Sequence, residues 1–172
     1  MLILGIDPGL SGAMALYDPE GGLLTVEDIP TLELLKAGKK RRTYDPYEIA
    51  RWIDLMSPQI GLVMVEQVCA MPSRGADGAV RGMGAQSSFA FGEMYGFLKG
   101  VCTAHFLRVE TVVPQTWRKA MGVKGGKDES RARASVLMPR SAETWRLKKH
   151  DGRAEAALIA MYGARLHQSE AA

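Results

Sequence analysis

LILGID, residues Leu2 to Asp7, and GLVMVE, residues Gly61 to Glu66, decide how this chain reads. Each is a short apolar run ending on a carboxylate, the pattern of a buried strand. Acids at the ends of apolar elements are costly to hold together unless something neutralises them. A second pair, Asp151 and Glu155, lies in HDGRAEAALIAMY, residues His150 to Tyr162, which reads as an amphipathic helix. Four residues apart, the two acids project from one helical face, and Asp151 falls at the helix start, where the dipole favours negative charge. Carboxylates in such a set are hard oxygen ligands for divalent cations, and divalent cations with water are how many enzymes cut phosphodiesters.

The rest of the chain is compatible with that chemistry. At 172 residues it suits one domain, 1–172, with a sizeable core. No apolar stretch approaches the roughly 18 to 20 residues a membrane span needs, so no membrane partner is expected. Asp7 interrupts any signal-like segment at once, and Cys69 and Cys102 have neither metal-ligand spacing nor the numbers of a disulfide framework. A reducing cytoplasm, bacterial or that of a phage host, is the expected setting. The formal net charge is only +3, but it is unevenly spread. Residues 1–37 hold six acids against Lys36, whereas residues 99–155 hold thirteen Lys or Arg against six acids. Singly, each charge run reads as a solvated face. Beside four carboxylates, basic clusters have a use, because a polyanion must approach them.

Three strands open the chain: Leu2 to Ile6, Gly12 to Tyr17 and Leu24 to Ile29, separated by Pro8-Gly9 and by the turn Asp18 to Gly22. A charged loop containing Lys39-Lys40-Arg41-Arg42 follows. Asp45-Pro46 then caps a helix running to about Met56, and Gly61 to Glu66 is the fourth strand. Cys69 to Gln86, with Arg74, Arg81, Met71, Met83 and four glycines, has no periodicity and is expected to be a mobile loop. Ser87 or Ser88 is the expected cap of a helix reaching about Ala104. Its Gly92, Gly96 and Gly100 recur every four positions, which suits packing on the sheet or, as the second choice, a dimer seam. Phe106 to Val113 is the fifth strand candidate. Pro114 starts a short helix, Lys124 to Lys127 turns, and Asp128 to Met138 is helical. The order predicts an α/β fold: a five-stranded mixed sheet flanked by helices. If strands one and four pair in parallel, Asp7 and Glu66 become neighbours. Asp7 is then placed to bridge two Mg²⁺ ions, Glu66 to ligate one, and Asp151 with Glu155 to complete the second site. His150 is a candidate to assist a water or contact phosphate.

The motifs Gly5-Ile6-Asp7-Pro8-Gly9, Val65-Glu66-Gln67 and Asp151-Gly152-Arg153-Ala154-Glu155-Ala156, with Pro114-Gln115-Thr116-Trp117 and Lys127-Asp128 between them, span almost the whole chain. In this set and order the chain resembles the RuvC family of Holliday-junction resolvases, particularly small bacteriophage-type members, within the RNase H-like superfamily. The resemblance implies an RNase H-like fold and a homodimer. It also implies Mg²⁺-dependent endodeoxyribonuclease activity, with Mn²⁺ able to substitute and two ions per active site, that nicks four-way DNA junctions symmetrically. Asp7, Glu66, Asp151 and Glu155 match the catalytic and metal-binding acids. Glu155 stands where many members have Asp, and the final pair is spaced by four rather than three, which leaves Asp151, His150 or both to supply that ligand. Lys119 and Lys127 match phosphate-holding residues, Arg118 is able to substitute for Lys119, and Lys124, Arg74 and Arg81 are further DNA-binding candidates. Cys69 stands where bacterial members carry a base-probing aromatic, leaving Met71 or another loop residue for that task, or none.

Three rivals remain. One is an RNase H-like nuclease acting on flaps, forks or RNA–DNA hybrids, and another is a non-catalytic junction-binding protein. The third comes from GIDPGLSG, which is similar to the phosphate loop of actin-like ATPases and sugar kinases; those need two such domains, and this chain is long enough for one.

Overall fold

The computed structural model describes residues 1–36, 38–68, 73–74, 80–81, 84–125 and 127–170. Strands β1 (Leu2–Asp7), β2 (Ala13–Asp18) and β3 (Gly22–Asp28) form an antiparallel meander. Strands β4 (Thr31–Lys36) and β5 (Lys39–Tyr44) form a separate hairpin. Helix α1 (Pro46–Met56) and strand β6 (Ile60–Glu66) follow, then the two-residue strands β7 (Ser73–Arg74) and β8 (Val80–Arg81). Helix α2 (Ala85–Ala104), strand β9 (Val109–Val112) and helices α3 (Pro114–Met121), α4 (Lys127–Leu137) and α5 (Asp151–Glu170) complete the chain. The main sheet has the order β3-β2-β1-β6-β9, with β1, β6 and β9 mutually parallel, as the five-stranded mixed sheet expected.

Alternation along the central strands builds a core on each face of the sheet. Ile3, Leu62 and Met64 pack with α3, α4 and α5, burying Trp117, Ala134 and Leu158. Leu4, Ile6, Val63 and Val65 point the other way, onto Ile49 and Ile53 of α1 and Met94, Leu98 and Cys102 of α2. The period-two alternation of a strand puts Asp7 and Glu66 on the first of these faces, in line with Ile3 and Met64. Helix α5 can lie directly on β1 because Gly5 has no side chain. A Cβ there would stand 2.2 Å from the Ala156 carbonyl oxygen and 2.4 Å from the Ala160 nitrogen.

Four local expectations need correction. Lys39–Arg42 lie in strand β5 and not in a loop, because residues 31–36 supply a partner and Gly38, at φ 72°, closes the turn between Lys36 and Lys39. The cap of α2 is Gly84, so neither Ser87 nor Ser88 starts that helix. Gly92, Gly96 and Gly100 do not pack on the sheet. They are exposed, and a Cβ at each would meet nothing within 4 Å, since Met94, Leu98 and Cys102 occupy the inward face. The fifth strand begins only at Val109, because Phe106 takes a left-handed turn (φ 58°) off the end of α2 and stands 97% exposed. The two short strands β7 and β8 pair antiparallel within the span expected to be irregular, while Cys69, Met71 and Met83 lie outside the described residues. Among the described residues, no helix is long and apolar enough to cross a membrane.

Candidate active site

Parallel pairing brings the first two acids together. Ile6 of β1 is in register with Val65 of β6, so Asp7 and Glu66 are the next step on each strand. Adjacent strands run roughly 4.8 Å apart. The Asp7 carboxylate reaches the start of α5: its Oδ2 lies 3.1 Å from the position a Cβ on Gly152 would take. That Cβ would also stand 2.3 Å from the Ser11 carbonyl oxygen, so only glycine lets α5 begin against the turn after β1. Asp151, the residue before it, and Glu155, one turn later, are both about 94% buried, at 6% exposure.

The helices after β9 hold these acids in place. Pro114 opens α3, and the buried Trp117 donates its indole N–H to Glu66 Oε1 at 2.8 Å. Arg118, next along, ion-pairs with Glu155 Oε1, donates to the Gly125 carbonyl oxygen at 2.9 Å and lies over the Trp117 ring. From α4, the fully buried Ser130 hydroxyl donates to the same Glu155 oxygen at 2.9 Å. Burial pushes the Glu66 carboxyl above its ordinary range. The Trp117 hydrogen bond opposes that shift, the nearby Glu155 charge adds to it, and Arg118 opposes it again.

Of the DNA-binding candidates, Arg118 is half-buried and turned inward, with its guanidinium engaged by Glu155 and Gly125. Lys119 and Lys124 are exposed on and just after α3. The backbones of Arg74 and Arg81 pair within the β7–β8 hairpin and Lys127 starts α4, but their side chains lie outside the described residues. His150 has Arg153 and Asp28 as its electrostatic neighbours, and burial with the Arg153 charge lowers its pKa. Arg153 itself grips Asp28 through two bonds of 2.6 and 2.7 Å, tying α5 to β3. Sequence reasoning did not single out Trp117 as the support of Glu66, nor Ser130 at all. Trp117 was visible only as part of the Pro-Gln-Thr-Trp motif, and nothing in the sequence marks Ser130.

Among the described residues, no three His, Cys, Asp or Glu side chains are gathered so as to hold one ion. Glu66 is turned to Trp117 and Glu155 to Arg118. The donor chemistry nevertheless fits a hard divalent cation: carboxylate oxygens only, partly desolvated, with Glu66 and Glu155 repelling each other across the site.

No protein-family model and no curated protein sequence matches the chain. Solved structures do. Thermus thermophilus RuvC in complex with a Holliday junction substrate aligns with a TM-score of 0.64 at 17% identity, over 96% of this chain and 96% of that one. A second T. thermophilus RuvC structure aligns at 0.59 and 14% identity, over 97% of each chain. The fold is that of RuvC. It is the RNase H-like layout, a five-stranded mixed sheet flanked by helices.

Proposed function

We propose that this protein is a structure-selective DNA endonuclease that resolves four-way junctions by paired symmetric nicks. One observation carries the reading. On a RuvC fold, two acids end adjacent parallel strands, and two more, both buried, open the helix that crosses those strands. Likeness to a protein solved on a Holliday junction supports the substrate class.

In this reading Asp7, Glu66, Asp151 and Glu155 hold Mg²⁺, two ions per site, with Mn²⁺ able to substitute. Such ions, when bound, would lower the pKa of a water so that it could lose its proton and act as the nucleophile on phosphorus, and would offset the charge on the leaving 3′-oxygen. The protein's own groups set the stage. Trp117 fixes the Glu66 carboxylate through one oxygen, and Ser130 fixes Glu155. Arg118 balances the Glu155 charge, which lowers the cost of keeping several carboxylates in one buried place. Lys119 and Lys124, with Lys127, Arg74 and Arg81, are the proposed phosphate contacts. His150, beside the Arg153–Asp28 pair, is proposed only as an accessory.

Two symmetric cuts call for two sites related by a twofold axis. The exposed face of α2 is the proposed seam: Phe89, 75% exposed, stands at its start, and Gly92, Gly96 and Gly100 leave room for a second helix to approach closely. Gly96→Arg is expected to convert a dimer to a monomer in sedimentation. The decisive assay incubates a labelled four-way junction with wild type and Asp7→Asn in Mg²⁺. Paired nicks by wild type and none by Asp7→Asn are expected. No nicking by wild type, or equal nicking by both, sinks the proposal, and faster cutting of flaps, forks or RNA–DNA hybrids reassigns the substrate.

A further inference from the structure

The β4–β5 hairpin is not part of the main sheet: among the described residues its strands pair only with each other. Residues 31–44 carry five Lys or Arg against the single Glu33, a net of +4 in a chain whose formal net charge is +3. Lys39, Lys40, Arg41 and Arg42 are all exposed along one strand. Lys40 is balanced by Glu33 at 3.0 Å, and Arg42 is spent on the Thr31 hydroxyl and the Leu10 carbonyl oxygen. Lys39 and Arg41 have no ion pair among the described residues.

The base of this ribbon is fixed, and it is fixed at the acid end of the sheet. In the sheet register Asp7 lies opposite Ala13 and Ala13 opposite Asp28, so β3 ends level with Asp7 and the ribbon begins three residues later. The Ile29 N–H donates to the Gly12 carbonyl oxygen at 3.0 Å, and the Asp45 N–H donates to that of Pro30 at 2.8 Å. The Tyr44 ring packs on Phe97 of α2, and Arg42 reaches the loop only three residues past Asp7. Beyond those anchors Leu34 and Leu35 are 52% and 77% exposed.

A two-stranded hairpin standing alone is marginal in water, and a strand of four cations repels itself. A polyanion removes both costs. Another copy of this chain does not, since it would bring a net +4 against a net +4, and lysines on exposed strands discourage edge-to-edge pairing. Six extended residues span about 20 Å, roughly the rise of six base pairs. We propose that the β4–β5 ribbon is a DNA arm, with Lys39 and Arg41 contacting backbone phosphates of the duplex that flanks the cut strand. The inference rests on the nuclease reading, because it takes the acid end of the sheet as the place where DNA sits.

The test measures binding of a fluorescent four-way junction and a 30-base-pair duplex in chelator, as a function of salt. Each phosphate contact contributes about 0.9 to the slope of log affinity against log salt. The double variant Lys39→Thr/Arg41→Thr is expected to flatten that slope by about 1.8 and to lose about ten-fold or more in affinity at 0.1 M salt. Lys39→Gln alone should remove about half of that slope change, and serves if the double variant folds poorly by circular dichroism. Wild-type slope and affinity in the variants overturn the ribbon proposal while leaving the nuclease reading intact. A wild-type protein that binds neither DNA overturns both. A changed sedimentation coefficient with an unchanged salt slope assigns the ribbon to self-association and overturns its role on DNA.

Discussion

Replacing Gly152 by alanine tests whether the start of α5 is seated on the turn after β1, as the site requires. The added Cβ would lie 2.3 Å from the Ser11 carbonyl oxygen and 2.8 Å from the Gly12 Cα, both backbone atoms that cannot swing aside. An unstrained carbon–oxygen contact needs about 3.3 Å, so the helix start must lift by about 1 Å. Overpacking of this kind costs about 1 to 3 kcal/mol, more than the helix gains from exchanging glycine for alanine. For a chain of this size, about 2 kcal/mol corresponds to a melting temperature roughly 4 to 8 °C lower. The same movement carries Asp151 and Glu155 away from Asp7, and a misplacement of about 1 Å can cost on the order of 10²-fold in rate. Thermal unfolding gives the first quantity, and single-turnover nicking of a four-way junction the second. Wild-type melting and wild-type nicking together refute the packing. A destabilised variant that still nicks at full rate refutes the dependence of the site on that packing.

Glu66→Gln should be more stable than wild type at pH 7 in chelator, and inactive. Burial raises the Glu66 carboxyl above its ordinary value of 4.5, so the folded state holds that proton longer than the unfolded chain does. Stability therefore falls as pH climbs from the ordinary glutamate range through the raised folded value, and the advantage of glutamine should vanish near pH 3 in urea denaturation. Trp117→Phe leaves Glu66 Oε1 without its indole donor; a loss of about 1 to 3 kcal/mol is expected, together with slower nicking, and an unchanged denaturation midpoint contradicts it. Asp28→Asn removes a carboxylate held below its usual range by its hydrogen bond to Arg153. The Asp28 side chain is 55% exposed, so the loss at neutral pH should be at most about 1 kcal/mol and smaller in high salt. That contribution is present above the ordinary aspartate range and disappears as pH falls through the lowered folded value, so variant and wild type should converge in acid.

Strands were legible wherever burial writes itself into composition. The runs ending at Asp7 and Glu66 are buried on both faces, and the parallel pairing on which the meeting of the two acids was conditional is the one β1 and β6 adopt. Asp45-Pro46 and Pro114 marked helix starts because a cap and a fixed φ act within a few residues. The hairpin of residues 31–44 was missed because exposed strands lack the apolar alternation that burial imposes, and its charges read equally well as a loop. Gly92, Gly96 and Gly100 misled for the converse reason: spacing fixes that they share a face, but not whether that face meets the sheet or solvent.

By itself, then, the sequence determined the four acids, their order and the elements carrying them, because helix and strand periodicities are local and the acids stand at element ends. Tertiary structure alone decided their surroundings. Trp117 meets Glu66 across 51 positions, and Ser130 and Arg118 meet Glu155 across 25 and 37. Contacts at such separations arise from how α3 and α4 pack beside α5, and no local pattern records them. The same holds for the basic ribbon: four cations in a row are plain in the sequence, but only the register Asp7–Ala13–Asp28 puts them at the acid end of the sheet.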